Sequence, residues 1–375
     1  MPLYNLDEIT LIPSPISTIK SRSECDTAYY HTWQKTYPIF VSPMACLVDD
    51  TNVEALKSCG LNVIVPRTVP WGIRMDRMVQ NEWVAVGLKE AKHLYDTWYR
   101  VLESGFGLDD FIPHLCIDQA NGHMEELLEL CRDFKLLLGK TGIVLMTGNI
   151  AHPNTYYDYA IHGIDYVRCS VGTGHGCTTS CQTGFNYPMG SLLIDINKQK
   201  KLVKRDLLDT AIETDKCIYT LPKVIADGGI GTSEQAIKAL ALGADYVMLG
   251  EVIARSMEAC GREIPIEEEW DDHEDDWVDR CGRIYYGMST ERAQREINEA
   301  SYEPVANFEP KRAEGIEKIV PIEYSINWWL TDFGTDLRSA MSYANAKNLQ
   351  QFIGKVQWDT ISYDSRMKFM SKLEK

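Results

Sequence analysis

The sequence lacks a basic segment followed by an apolar core at its start, and it has no apolar run near the length of a membrane span. These absences set the expectation of a soluble, cytoplasmic protein that does not bind membranes. Positive charge is also scarce. Lys and Arg number 38 against 54 Asp and Glu, a formal net charge of −16. That balance argues against general binding of nucleic acid or anionic lipid. It leaves room for a small anion, because glycine-rich loops and helix N-termini bind phosphate locally. There is no cysteine framework either. The 11 cysteines are odd in number and irregularly spaced along 375 residues, which excludes a disulfide scaffold. Cys177 and Cys181 lie four apart, with no second close Cys or His pair to complete a zinc site. Internal repeats, low-complexity tracts and a clear interdomain linker are also missing.

What is present is an ordinary globular composition, 45% hydrophobic and 25% charged. The length fits one large domain or two average ones. Short β-rich runs recur at Pro38 to Ser42, Leu61 to Pro66, Trp83 to Gly87, and His114 to Asp118. Four more follow at Ile143 to Thr147, Tyr166 to Cys169, Lys223 to Ala226, and Tyr246 to Leu249. Their near-continuous apolar character suits parallel strands buried on both faces. Helical spacing appears between them, at Met124 to Leu138 and at Ser233 to Leu242. Ser233 reads as an N-cap and Gly243 as a C-cap.

Eight strands alternating with helices predict an α/β fold, a (β/α)8 TIM barrel, with a doubly wound open sheet as the competitor. The barrel is favoured because nearly every run ends in a polar loop, and a barrel gathers such loops on its C-terminal face. The usual phosphate site follows the seventh and eighth strands, where Gly228-Gly229 and Gly250-Glu251 fall. Two segments break the rhythm. Glu263 to Asp276 is a dense acidic run that reads as a solvated excursion. Tyr286 to about Val320 has little regular periodicity and reads as a lid or binding loop.

The loop Gly172-Thr173-Gly174-His175-Gly176-Cys177-Thr178-Thr179 is the most informative stretch. Its glycines permit a sharp turn and a close approach to a ligand. A thiol held there is placed to attack, although a tight turn with an incidental thiol fits the same residues.

Taken with its neighbours, this loop resembles the IMP dehydrogenase/GMP reductase family. The supporting segments are Ile19-Lys20-Ser21-Arg22-Ser23-Glu24, Asp118-Gln119-Ala120-Asn121-Gly122, Thr147-Gly148-Asn149-Ile150, and Ile225-Ala226-Asp227-Gly228-Gly229-Ile230. Tyr286-Gly287-Met288-Ser289, Ala313-Glu314-Gly315, and Leu337-Arg338-Ser339 with Tyr343 continue the likeness. The resemblance spans almost the whole chain. It implies a purine nucleoside monophosphate on the barrel's C-terminal face, with Cys177 adding to purine C2 as a covalent thioimidate. By the same resemblance Asp227 holds the ribose diol. Gly228, Gly229 and Gly250 hold phosphate through backbone N–H groups, with His175 and Glu251 beside them; either the Glu251 side chain turns away while its N–H binds, or the phosphate site is altered and His175 compensates. Gly287, Met288 and Ser289 read the base. The carbonyls of Gly172, Gly174 and Cys177 hold a potassium ion.

Two reactions fit that scaffold: NADPH-dependent reductive deamination of GMP to IMP, and oxidation of IMP to XMP by NAD⁺. The resemblance is nearer the reductase branch. Only Val69 to Glu82 separates the second and third strands, leaving no room for an inserted pair of CBS modules. The Arg-Tyr pair that activates water in the dehydrogenases has no counterpart, since no Arg-Tyr dipeptide occurs. In the reductase, Thr179 and Glu314 match a relay that protonates departing ammonia. Asp118, Asn121 and Arg67 lie toward the nicotinamide cofactor. A single catalytic domain is expected over 1–375, with the excursion and flap at 262–320, in a homo-oligomer, typically a tetramer. Three departures stand out: Ser180 where Arg is common, His175 where Ser is common, and Glu251 in place of the second phosphate-site glycine.

Overall fold

Eight of the apolar runs become parallel strands, and hydrogen bonding closes them into a barrel. They are β1 (Ile39–Val41), β2 (Asn62–Val65), β3 (Trp83–Val86) and β4 (His114–Asp118). Next come β5 (Val144–Ile150), β6 (Tyr166–Cys169), β7 (Lys223–Asp227) and β8 (Tyr246–Leu249). Strand β8 pairs back onto β1, Val247 opposite Ile39, which rules out the open sheet. The computed structural model describes residues 2–31, 34–105, 111–138, 142–214, 221–271 and 276–371.

The barrel forms because alternate strand residues face opposite ways. One set fills the axis: Phe40, Ile64, Ala85, Cys116, Met146, Ile225, Tyr246 and Met248 are all buried there. Aromatic rings close its lower end. Phe40 meets Tyr246 at 5.0 Å and Trp83 meets Tyr166 at 5.2 Å between centroids. Tyr29, on a short hairpin before β1, caps this layer 4.8 Å from Tyr246. The other set, including Val41, Val65, Val86, Ile117 and Val167, packs outward against the helices.

Those helices include α1 (Val53–Ser58), α2 (Trp71–Val79), α3 (Leu88–Glu103), α4 (Glu125–Leu138) and α5 (Pro153–Ile161). Then follow α6 (Met189–Thr214) and α7 (Ser233–Leu242). Helix α7 begins where the sequence indicates, but its cap is one residue earlier. Thr232 is extended and its side chain accepts from the Gln235 N–H at 3.2 Å, so Ser233 is the first helical residue, not the cap. Gly243 ends the helix at φ 130°.

After β8 a short helix, α8 (Glu251–Ala254), leads into the excursion. The acidic run is not a loop on either side of its tip. Its backbone pairs as an antiparallel hairpin, β9 (Glu263–Asp271) with β10 (Asp276–Tyr286). Residues 272–275 lie outside the described residues. Strand β11 (Glu317–Pro321) adds to β10 to make a three-stranded sheet.

Between them lies α9 (Glu291–Ala300), capped by the Thr290 side chain. The segment from Tyr286 to Val320 is therefore partly regular. It gave no helical signal because α9 buries little apolar surface beyond Ala293 and Ala300. Helix α10 (Ile326–Tyr343) packs on α7. The chain ends near its start, with Gln357–Thr360 antiparallel to Ile9–Ile12. No helix among the described residues is long and apolar enough to cross a membrane.

Candidate active site

The cysteine loop leaves β6 and returns through a short helix, Thr179–Thr183. Gly172 turns at φ 73°, and a Cβ there would lie 2.8 Å from the Ser180 Cβ. Only glycine suits both constraints. The Cys177 N–H donates to the Gly174 carbonyl at 2.9 Å. The 314–316 segment then lies alongside the loop. Thr178 N–H donates to Glu314 O at 3.0 Å, and Ile316 N–H donates to Gly176 O at 3.0 Å. Residues 287–290 close the same wall, since Gly176 approaches Tyr285 and Gly287, and Gly315 approaches Ser289 and Thr290.

This pairing brings Cys177, Thr179 and Glu314 into one chain. Cys177 Sγ lies 3.3 Å from Thr179 Oγ1, and Thr179 Oγ1 lies 2.7 Å from Glu314 Oε2. A hydroxyl has one proton to give. Thr179 donates it to the carboxylate and accepts from the thiol, so a proton has a continuous path from sulfur to Glu314. Cys177 is partly exposed, whereas Cys116 and Cys131 are fully buried. Burial pushes those two thiols up to about 12, which leaves them inert at neutral pH.

A second group of polar side chains crowns the barrel axis. Arg168, on β6, is only 6% exposed. Its Nε and Nη2 donate to Asp227 Oδ2 at 3.1 and 2.9 Å, and Nη1 donates to Asp118 Oδ1. Burial opposes the guanidinium's charge, but Asp227 and Asp118 outweigh it and raise its pKa. Asn149, from β5, donates to the same Asp227 Oδ2 at 2.6 Å. One oxygen of Asp227 is thus held by protein donors, while Oδ1 takes none among the described residues. The cluster positions four neighbouring strand ends at once.

The third group lies after β7 and β8. Gly228 and Gly229 turn at φ 98° and 73° and pack directly on Thr173 and Gly174 of the cysteine loop. Gly250 precedes Glu251, and a Cβ on Gly250 would lie 2.8 Å from the buried Tyr285 hydroxyl. The Glu251 side chain turns toward the cysteine loop. Its Oε2 lies 2.7 Å from Lys318 Nζ and 3.4 Å from His175 Nδ1, and Oε1 lies 3.6 Å from Arg255 Nη1. Burial pushes its carboxyl up, but the Lys318 hydrogen bond, with His175 and Arg255 nearby, holds it below the usual range. The two departures, His175 and Glu251, therefore face each other.

The expected cofactor residues are less well gathered. Asp118 belongs to the axial cluster. Asn121 is exposed on the same loop, where Oδ1 accepts from the His123 N–H at 3.1 Å. Arg67 turns elsewhere: its guanidinium covers Gly87, and Nε lies 3.7 Å from Glu90 Oε2. Among the described residues no hydrogen bond or ion pair joins it to Asp118 or Asn121. Arg67 follows β2, two strands from the 118–121 loop that follows β4. The carbonyls expected to hold potassium already serve the loop itself. The Gly172 carbonyl already accepts from Ser180 Oγ at 3.0 Å, and the Gly174 carbonyl accepts from Cys177 N–H. Each of these carbonyls keeps a second lone pair, so a cation held by Gly172, Gly174 and Cys177 stays a proposal, and no step is assigned to one.

Sequence reasoning missed Arg168, Asn149 and Lys318 as site residues. Arg168 carried a signal, a lone charge inside an otherwise apolar strand run. Asn149 sat in a quoted motif without a role. Lys318 carried none, because Val320 is the only buried residue of β11 and the strand shows no apolar run.

The IMP dehydrogenase / GMP reductase domain model matches residues 107–368. Similar proteins include the GMP reductase of Streptococcus pyogenes serotype M3, 25% identical over 355 residues, covering 93% of this chain and 92% of that protein. The GMP reductase of Streptococcus equi subsp. equi is 25% identical over 356 residues, covering 93% of each. A match of that extent takes in the strands and loops that build the cysteine site, and the chain belongs to the IMP dehydrogenase / GMP reductase family.

Proposed function

We propose that this chain is a GMP reductase-like oxidoreductase, a single catalytic domain that reductively deaminates the guanine base of its substrate, the reaction that takes GMP to IMP and ammonia, using NADPH. The observation that carries this reading is the Cys177–Thr179–Glu314 hydrogen-bonded chain. Reductive deamination needs a nucleophile and a proton for the leaving amine, and this chain couples the two. The Cys177 thiol adds to purine C2 while its proton passes through Thr179 to Glu314. Glu314 returns that proton to the departing amine, which leaves as ammonia. NADPH, when bound, supplies the hydride that replaces sulfur at C2. The thiolate released is then reprotonated.

The other residues position and exclude. Asp227, braced by Arg168 and Asn149, presents Oδ1 toward the ribose. Residues 287–289 face the cysteine loop and border the base. Asp118 and Asn121 flank the nicotinamide, and Arg67 stands at the rim. The names of the similar proteins agree with the reaction. Nothing in the chemistry at C2 depends on what the far end of the ribose carries. The test is paired incubation, with GMP and NADPH and then with IMP and NAD⁺. NADPH consumption with GMP alone supports the reductase. NADH formation with IMP alone overturns it in favour of a dehydrogenase without CBS modules.

A further inference from the structure

Barrels hold a ligand's phosphate between the loops after the seventh and eighth strands, often at a short extra helix. Here those loops are Gly228–Gly229 and Gly250–Glu251, and the extra helix is α8. We infer that Glu251 makes this site select a purine ligand ending in a neutral hydroxyl, a nucleoside, over one ending in a phosphate dianion. The inference rests on the purine reading above and concerns only the end remote from the base.

Glu251 lies among the groups a phosphate would need. Lys318, His175 and Arg255 converge on its two oxygens from β11, the cysteine loop and α8. Arg255 is further engaged by Glu323. The carboxylate is 17% exposed and is already paired with Lys318. A dianion entering there meets a half-buried negative charge, or must strip Lys318 from it. Both are unfavourable where water screens poorly. Space is limited too. The Tyr285 hydroxyl abuts Gly250, Lys318 Nζ sits 5.5 Å over the Tyr285 ring, and His175 packs on Gly231. A hydroxyl has the opposite relation to the same groups. It donates to Glu251 and accepts from Lys318 or a backbone N–H.

The test is calorimetric binding of guanosine and of GMP to the full chain, as wild type and as Glu251→Gln. The wild type is expected to bind guanosine about tenfold or more tighter than GMP, and Glu251→Gln to strengthen GMP binding by about tenfold. Wild type binding GMP as tightly as guanosine, or tighter, overturns the inference whatever the variant does. An unchanged GMP affinity in a folded Glu251→Gln protein overturns the role given to Glu251. Preferred binding of guanosine with no turnover of either purine supports the inference and overturns the reductase reading instead. Binding of neither purine overturns both.

Discussion

Cys177 acts in this account through one hydroxyl. If Thr179 carries the proton between sulfur and Glu314, removing any member stops the same step. Cys177→Ala is expected to lower turnover by about a thousandfold or more while purine binding, read by calorimetry, persists. Thr179→Val and Glu314→Gln are each expected to lower kcat by roughly 10²–10⁴-fold, with little change in binding. Their combination should be no worse than the worse single variant, since both break one path. Additive losses in steady-state kinetics would separate the two residues.

Arg168 is a different kind of residue: it touches no reacting atom and holds two carboxylates on the barrel axis. Arg168→Met leaves Asp118 and Asp227 buried without their cation. Chemical denaturation should register a loss of about 3–5 kcal/mol. Arg168→Lys keeps the charge and should lose less, though it cannot reproduce the paired Nε and Nη2 donation to Asp227 Oδ2 together with the contact to Asp118. Equal losses for the two variants would count against a charge-based role.

At the scale of elements, helix α7 offers a clean comparison of neighbouring hydroxyls. Thr232→Ala removes the capping acceptor and should cost ~1 kcal/mol. Ser233→Ala, at the first helical position, should stay within about 0.5 kcal/mol. The reverse order in thermal unfolding would restore Ser233 as the cap.

The eight barrel strands were legible because burial on both faces leaves unbroken apolar runs, as in Ile39-Phe40-Val41 and Tyr246-Val247-Met248-Leu249. The excursion was not. Its backbone pairing in β9 and β10 comes from inter-strand hydrogen bonds, which acidic side chains neither require nor announce. Helix α9 is amphipathic mainly in charge, so its period was invisible to an apolar count. The site divides the same way. Cys177 and Asp227 stand in glycine-rich loops that sequence alone singles out. Lys318 reaches Glu251 only because β11 folds back beside the cysteine loop, a contact between residues 67 apart.

For the whole molecule, the acidic composition sets the response to pH. Glu251 and Asp195 both have folded pKa values below their ordinary ones. Burial raises each, and hydrogen bonds from Lys318 to Glu251 and from Lys198 to Asp195 outweigh it. Each therefore binds protons less readily when folded. Their stabilisation is full above the ordinary carboxylate pKa and is lost as pH falls through the depressed values. Glu251→Gln should shallow the acid limb of a stability-versus-pH curve and leave the neutral region's slope unchanged. A steeper acid limb would contradict the sign.

The barrel also explains why one loop can carry the chemistry. It brings the ends of β4, β5, β6 and β7 together around Arg168, and the excursion returns Glu314 to the cysteine loop. The most direct test is the nicotinamide absorbance of purified protein given a guanine substrate, as GMP and as guanosine, with NADPH. Loss of NADPH with release of ammonia, absent in Cys177→Ala, is the predicted result. No loss with either guanine compound, together with NADH formation from IMP and NAD⁺, would contradict it.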